Sequence, residues 1–251
     1  MLNLVIVIPS YNEYDSLSDF IPRIGNFFGN NFQLLILIVD DASTDETPSL
    51  KTIFDNHNFQ IEILRNTKNL GHGQTLINGL MHATTMECDY ILTLDGDGQF
   101  FESEICQVVT DFMYNESSDL LELCRIGRTD HWYRRTITKS LRFFTFFLTG
   151  CSTLDANTPM RCYDTKILNK LLPLLPRFCL TPNFFISIIS RDLSYSIKQV
   201  QVHSQDRRGP NPRSVSWGNS KYFLPSSKLI FFCYMALKQF MKFTYLRFSN
   251  K

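Results

Sequence analysis

"YILTLDGDGQF", residues 90–100, joins an apolar run, Tyr90 to Leu94, to two acids separated by a single glycine. The run has the length and composition of a buried strand. Beyond it, Asp95, Asp97 and the side-chain amide of Gln99 offer hard oxygen ligands. Taken alone, these residues fit two readings. One is an Asp-Gly turn, a strong hairpin signal. The other is a site for Mg²⁺ or Mn²⁺ completed by a substrate phosphate, with Gly96 and Gly98 leaving room for the ligand to approach.

Four further runs of the same kind flank this one, at Leu4–Ile8, Leu34–Val39, Gln60–Leu64 and Leu120–Cys124. Helical periodicity lies between them. Asp15 is placed to cap a helix carrying Leu17, Phe20, Ile21 and Ile24. Thr44 or Asp45 is placed to cap one carrying Leu50, Ile53 and Phe54, and a third covers Gln74–Ala83. Near-continuous apolar strands alternating with helices predict an α/β fold, a mostly parallel Rossmann-like sheet flanked by helices. Ligands in such sheets bind outside the carboxyl ends of the strands. "PSYNE" (9–13), "DDASTDET" (40–47), "NLGHGQ" (69–74) and "DGDGQ" (95–99) follow four successive strands, which brings Tyr11, Glu13, Asp40, Asp41, Asp95, Asp97 and Gln99 to one crevice. A cation there would offset the mutual repulsion of the carboxylates. Metal and diphosphate fall to Asp95, Asp97 and Gln99, and nucleoside hydrogen bonding to Asp40 or Asp41.

The net charge of +1 conceals a division. Residues 1–124 hold 19 acidic and 4 basic side chains, and residues 125–251 hold 5 and 21. An acidic half suited to a cation thus precedes a basic half suited to phosphates. Residues 133–148 form a basic amphipathic helix pattern, with Arg134 and Thr138 one turn apart on a shared face. Two more helices are expected near 164–175 and 182–191, and residues 194–203 alternate like a strand. Arg128 follows the fifth strand, and Arg207 and Arg208 lie in a late Gly/Pro/Ser-rich loop. Together these arginines suit phosphoryl oxygens. The chain divides into residues 1–220 and a basic, aromatic helical tail, 221–251, placed either in a membrane interface or against the domain.

Several classes are excluded. The seven scattered cysteines form no zinc spacing and point to a reducing compartment, and the N-terminal residues lack a secretion signal. The longest clean apolar run near the C-terminus, 229–237, falls short of the roughly 20 residues that cross a bilayer. "GHGQTL" (71–76) departs from the dinucleotide fingerprint at Leu76, leaving His72 as a loop residue. The acidic crevice argues against nucleic acid, so the basic tail fits a membrane surface better.

"VIPSYNE", "VDDASTDET", "NLGHGQTLINGL", "LTLDGDGQF", "IGR" (126–128), "WYRRTIT", "LTGCSTLDANTPMRCY" and "DRRG" together resemble glycosyltransferase family 2, in its polyprenol-phosphate (dolichyl-phosphate) mannosyltransferase-like branch, over residues 4–220. The resemblance implies a GT-A fold, a nucleotide-diphosphate sugar donor (GDP-mannose or a UDP-sugar), a divalent cation and a polyprenyl phosphate acceptor. It places Pro9, Tyr11, Glu13, Val39 and Asp41 around the nucleoside and Asp95, Asp97 and Gln99 on the metal. Arg128, Arg134, Thr138 and Arg207 would face the phosphates, with Asp95, Asp97, Arg128 and Arg134 carrying catalysis. A phosphate acceptor is already ionised and implies inversion without a strong base. The expected setting is the cytoplasmic face of a membrane, peripherally bound. A family relative acting on a soluble or protein hydroxyl, or a sugar-nucleotide-binding scaffold, is the alternative. Pro159, Met160 and Arg161 depart from the family's usual glycine-aromatic-arginine sequence.

Overall fold

The computed structural model of the chain describes residues 1–54, 57–126, 132–204 and 226–249. Its order is β1 (Asn3–Ser10), α1 (Tyr14–Gly29), β2 (Gln33–Asp40), a 3-10 turn (Thr47–Ser49) running into α2 (Leu50–Ile53), β3 (Gln60–Arg65), α3 (His72–Ala83), β4 (Tyr90–Thr93), α4 (Glu102–Asn115) and β5 (Leu120–Ile126). There follow α5 (Trp132–Thr149), β6 (Arg161–Asp164), α6 (Thr165–Leu171), α7 (Pro182–Asp192), β7 (Ile197–His203) and α8 (Ser227–Ser249).

The strands form one sheet in the order β3-β2-β1-β4-β6-β5-β7. β1 pairs in parallel with β2 and β4, β3 with β2, and β7 with β5, while β6 runs antiparallel between β4 and β5. Successive side chains of a strand face opposite ways, and β1 uses this to feed both cores. Leu4, Ile6 and Ile8 pack with Leu17, Phe20 and Phe28 of α1 and Val109 and Phe112 of α4. Val5 and Val7 pack with Leu76 and Leu80 of α3 and Phe185 and Ile188 of α7. Burying both faces explains the near-continuous apolar runs.

β6 carried no strand signal because it is four residues long and opens on an arginine. Arg161 is wholly buried and is held there by Glu122 of β5. The expected helix starts shift as well. Asp15 lies inside α1, whose N-cap is Glu13, and the helix after β2 starts at Thr47, beyond Thr44 and Asp45. Asp45 instead accepts the amides of both Tyr14 and Thr47, at 3.0 Å each, and so joins two chain turns.

The tail packs on the domain by one face. Phe240 lies between Phe144 of α5 and Phe184 of α7, at ring-centroid distances of 5.3 and 5.5 Å. Gln239 accepts the Leu180 amide at 3.0 Å and donates to the Phe178 carbonyl at 3.1 Å. Among the described residues no helix is long and apolar enough to cross a membrane.

Candidate functional site

The carboxyl ends of β1, β2 and β3 are stitched together by side chains that bond the neighbouring loop's backbone. Ser43 Oγ accepts the Asn12 amide at 2.9 Å, and Asn12 Oδ1 accepts the Thr44 amide at 2.8 Å. Asn12 and Ala42 adopt left-handed backbone conformations, φ +53° and +61°, which turn these loops sharply. Asn is a favoured residue for such a conformation, and alanine there is strained.

Asp40 and Asp41 are both buried and hold different elements. Asp40 Oδ1 accepts the Ser43 amide at 2.9 Å, and Oδ2 stands 3.3 Å from Arg65 Nε. Asp41 accepts Asn66 Nδ2 and the amides of Leu70 and Gly71, at 2.8 to 2.9 Å. The approach to α3 is therefore built on Asp41, and Gly71 supplies the φ of +83° needed to enter it. Pro9 and Val39 are buried and Tyr11 is exposed. The Val39 side chain is spent in the core against α3, where a Cβ on Gly79 would fall 2.5 Å from it.

Leu94 extends β4 by one hydrogen bond, to Val7 O at 3.1 Å, and the chain then turns out of the sheet. Asp97 is 8% exposed and its Oδ1 receives the Gln99 amide at 3.3 Å, while the Asp95 side chain is 27% exposed. Gly98, at φ +61°, makes the turn between them and Gln99. Gly96 has its own reason to be small: a Cβ would lie 2.8 Å from Leu17 Cδ2 and 3.0 Å from Glu13 Oε2. Its close packing brings Glu13 beside the acid motif. His72, expected as a loop residue, is the first residue of α3, and its Nε2 stands 3.9 Å from Asp95 Oδ1.

Asp95, Asp97 and Gln99 are hard oxygen donors, as Mg²⁺ or Mn²⁺ requires. Among the described residues no three His, Cys, Asp or Glu side chains form a closed cage. An open pair of carboxylates fits an ion that keeps water and phosphate ligands of its own.

Thr138 is half-buried on α5, one turn beyond Arg134. Arg128, Arg207 and Arg208 lie outside the described residues. Phe100 bridges to Ser204, so the chain leaves β7 beside the acid motif only three residues before Arg207.

Arg125 was not singled out by the sequence. It lies at the end of β5 with its guanidinium 5.7 Å from the Phe100 ring centroid, and its buried Nε has no hydrogen-bond partner among the described residues. Its signal was position alone, next to last in a strand that ends at the crevice.

A buried ionic cluster underlies this half. Glu122 pairs with Arg161 at 3.0 Å and with Arg191 at 2.7 Å, and Ser187 Oγ donates to it at 2.8 Å. Burial pushes the Glu122 carboxyl up, but the charges of Arg161 and Arg191 outweigh it and hold the group below its ordinary value. A lone acid inside the apolar run "LLELC" was the available sign of this cluster. Burial raises the thiols of Cys124 and Cys179 to about 12, so neither supplies a thiolate at neutral pH.

Residues 5–172 match the family model described as glycosyl transferase family 2. The chain is 28% identical over 221 residues to the undecaprenyl-phosphate 4-deoxy-4-formamido-L-arabinose transferase of Enterobacter sp. (strain 638), an alignment covering 86% of this chain and 62% of that protein. It thus spans about three fifths of that curated relative's length. Among solved structures, glucosyl-3-phosphoglycerate synthase from Mycobacterium tuberculosis, in complex with Mn²⁺, uridine diphosphate and glucosyl-3-phosphoglycerate, superposes with a TM-score of 0.65 at 15% identity, over 96% of this chain and 80% of that one. S. aureus TarS 1–349 in complex with UDP-GlcNAc gives a TM-score of 0.55 at 17% identity, over 83% and 60% of the two chains. With its seven-stranded sheet in the GT-A arrangement and the family match across two thirds of its length, the chain belongs to glycosyl transferase family 2.

Proposed function

We propose that this chain moves one sugar from a nucleotide-diphosphate donor to a polyprenyl phosphate, with inversion at the anomeric carbon. The observation that supports the proposal is the position of Asp95 and Asp97 just beyond β4, with the acidic loops after β1 and β2 joined to each other and Arg125 of β5 standing over Phe100. The lipid-phosphate acceptor is supported by the relative named for transfer to undecaprenyl phosphate.

In this reading the nucleoside lies over the ends of β1 and β2, among Pro9, Tyr11, Glu13, Asp40 and Asp41. Val39 contributes through its backbone. Asp95, Asp97 and Gln99 hold Mg²⁺ or Mn²⁺, and Gly96 lets the motif pack against Glu13. A bound cation supplies charge stabilisation to the leaving diphosphate. Arg125, Arg128, Arg134, Arg207 and Arg208, with the Thr138 hydroxyl, bind and orient phosphoryl oxygens, for which a planar guanidinium fork is suited. An acceptor phosphate oxygen attacks the anomeric carbon. As that bond forms, the bond to the donor diphosphate breaks and its electron pair leaves with the nucleoside diphosphate. The phosphate monoester is already ionised, so no side chain has to remove a proton, and the enzyme's contribution is orientation and electrostatics.

A peripheral position on the cytoplasmic membrane face is part of the proposal. Phe231, Tyr234, Met241 and Tyr245 of α8 are exposed together with Lys228, Lys238 and Lys242. On α5, Phe143 and Phe147 stack at 6.3 Å with the latter 74% exposed, near the exposed Lys139 and Arg142. Apolar side chains ringed by lysine and arginine suit an anionic lipid interface.

Transfer of radiolabel from GDP-mannose, UDP-glucose and UDP-N-acetylglucosamine to undecaprenyl or dolichyl phosphate, with and without Mn²⁺, tests this. Metal-dependent labelling of the lipid alone is expected. Labelling of a soluble or protein hydroxyl, with none of any lipid phosphate, would overturn the acceptor assignment.

A further inference from the structure

The loop 152–160 joins α5 to β6 and carries the sequence departure at Pro159 and Met160. Its polar anchors go to three strands. The Leu154 amide donates to Gln199 Oε1 of β7 at 2.6 Å, and Thr158 Oγ1 donates to the Leu123 carbonyl of β5 at 2.5 Å. Thr93 Oγ1 of β4 donates to the Pro159 carbonyl at 2.7 Å, two residues before Asp95. From beneath, the wholly buried Arg161 donates to the carbonyls of Thr158 at 3.1 Å and Ala156 at 3.0 Å. The same guanidinium reaches Ser187 Oγ at 3.2 Å and stands 3.0 Å from Glu122 Oε1.

Arg161 is thus a template for the loop, and Glu122 is what holds the template. A buried guanidinium has five donors in a rigid fork, so its orientation fixes where accepting carbonyls can lie. Arg191 grips the other side of Glu122, with Nη2 at 2.7 Å from Oε2 and Nη1 at 3.1 Å from Oε1. Ser187 and Arg191, one turn apart on α7, therefore determine which way the carboxylate faces Arg161. Burying three charges is expensive and is not needed to fill the space, since apolar residues of similar volume often serve as well. What the ions supply that apolar packing does not is a direction, transmitted from α7 through Glu122 and Arg161 to the carbonyls of residues 156 and 158.

We propose that Glu122 is a positioning residue for the acceptor side of the site: through Arg161 it holds the loop 152–160 against the ends of β4, β5 and β7. This rests on the lipid-phosphate reading above for the word acceptor, and on geometry alone for the positioning. The loop emerges from α5, the helix that bears Arg134 and Thr138, and two of its three strand anchors lie on the arginine-bearing half. The loops after β1 to β4, assigned to the donor, reach it through Thr93 of β4.

The test uses Glu122→Gln and, because that change leaves two buried guanidiniums without a counter-charge, the double variant Glu122→Leu/Arg191→Met, which leaves the cluster's net charge as in the wild type. Amide hydrogen exchange over residues 152–160 is measured beside steady-state kinetics with each substrate varied in turn. Exchange in the loop is expected to rise at least about 10-fold in the double variant while the amides of β1 and β2 hold their protection. kcat/KM for the lipid phosphate is expected to fall about 10- to 100-fold, with the donor KM within about twofold of wild type. Unchanged loop exchange would overturn the positioning role. Equal rises in donor and acceptor KM, or a loss of activity that only tracks the folded fraction, would overturn its acceptor side. If the wild type transfers sugar to no lipid phosphate, the exchange measurement still decides the positioning, and the failure belongs to the functional reading.

Discussion

The two halves of the sheet hold their loops by different chemistry. At the ends of β1 to β3, Asp40, Asp41 and Asp45 are satisfied mainly by backbone amides of nearby loops. In the β5–β6 half, Glu122 is satisfied by two guanidiniums and a hydroxyl from other elements. A carboxylate in a nest of amides tolerates the loss of one partner, because the others remain. A carboxylate shared by buried arginines does not tolerate its own loss, since it leaves charges behind with no way to reach water.

Replacing Glu122 should therefore give the largest change in stability. Glu122→Gln is expected to cost about 3–5 kcal/mol in urea unfolding, the usual result of removing one side of a buried pair. Arg191→Met, which leaves the Glu122–Arg161 pair intact, is expected to cost about 1.5–3 kcal/mol. Equal costs would show that Glu122 is not the centre on which the other two charges depend. The pH dependence has a definite sign. The folded-state pKa of Glu122 lies below its ordinary 4.5, so the unfolded chain takes up the proton first on acidification. The group's stabilisation is complete above that ordinary value and is lost as pH falls through the folded one. Wild type should lose stability on acidification more steeply than Glu122→Gln, as read from urea midpoints at several pH values.

Next in size is Asp97→Ala, expected to lower turnover at least about 100-fold, since metal stabilisation of a leaving diphosphate is worth several kcal/mol. Asp97 Oδ1 receives the Gln99 amide at 3.3 Å, and a melting temperature measured beside turnover separates loss of the metal site from loss of the fold. Asp41→Asn is expected to cost about 1–3 kcal/mol, since an amide nitrogen cannot accept the bond that one carboxylate oxygen now receives. The smallest effect on stability, within about 0.5 kcal/mol, is expected for Phe231→Ser/Tyr245→Ser on the outer face of α8. That variant should nonetheless lose sedimentation with vesicles containing anionic lipid, and full retention would remove α8 from the membrane proposal.

What could be read in the sequence follows the same division. The position of the acid motif and of the loops 9–13 and 40–47 at one end of the sheet was legible because each follows directly on its own strand. β1, β2, β4 and β5 announced themselves by apolar runs buried along most of their length, and β3, at the sheet edge and only half-buried, by Ile61, Ile63 and Leu64. β6 did not, because Arg161 is compatible with a strand interior only once Glu122 and Arg191 are beside it, and no local pattern encodes that meeting. The sequence offers Thr44 or Asp45 as a cap for the helix that follows, whereas one Asp45 oxygen crosses to the start of α1. His72 reads as a loop residue and Arg125 carries no signal in the sequence, because the neighbours that matter to them, Asp95 and Phe100, are distant along the chain. The docking of α8 through Gln239 and Phe240 was equally out of reach, since basic aromatic helices pack or lie in lipid with the same composition.

The metal–diphosphate assignment of Asp95 and Asp97 is most directly tested by thermal unfolding of wild type and Asp97→Ala with GDP or UDP, each with Mn²⁺, with Mn²⁺ replaced by EDTA, and with Mn²⁺ alone. A ligand that binds only the folded state raises the midpoint according to its concentration and affinity. A rise with one nucleoside diphosphate plus Mn²⁺ in wild type, abolished by EDTA and absent in Asp97→Ala, is the expected result. An equal rise in the variant, or one that survives EDTA, would contradict it.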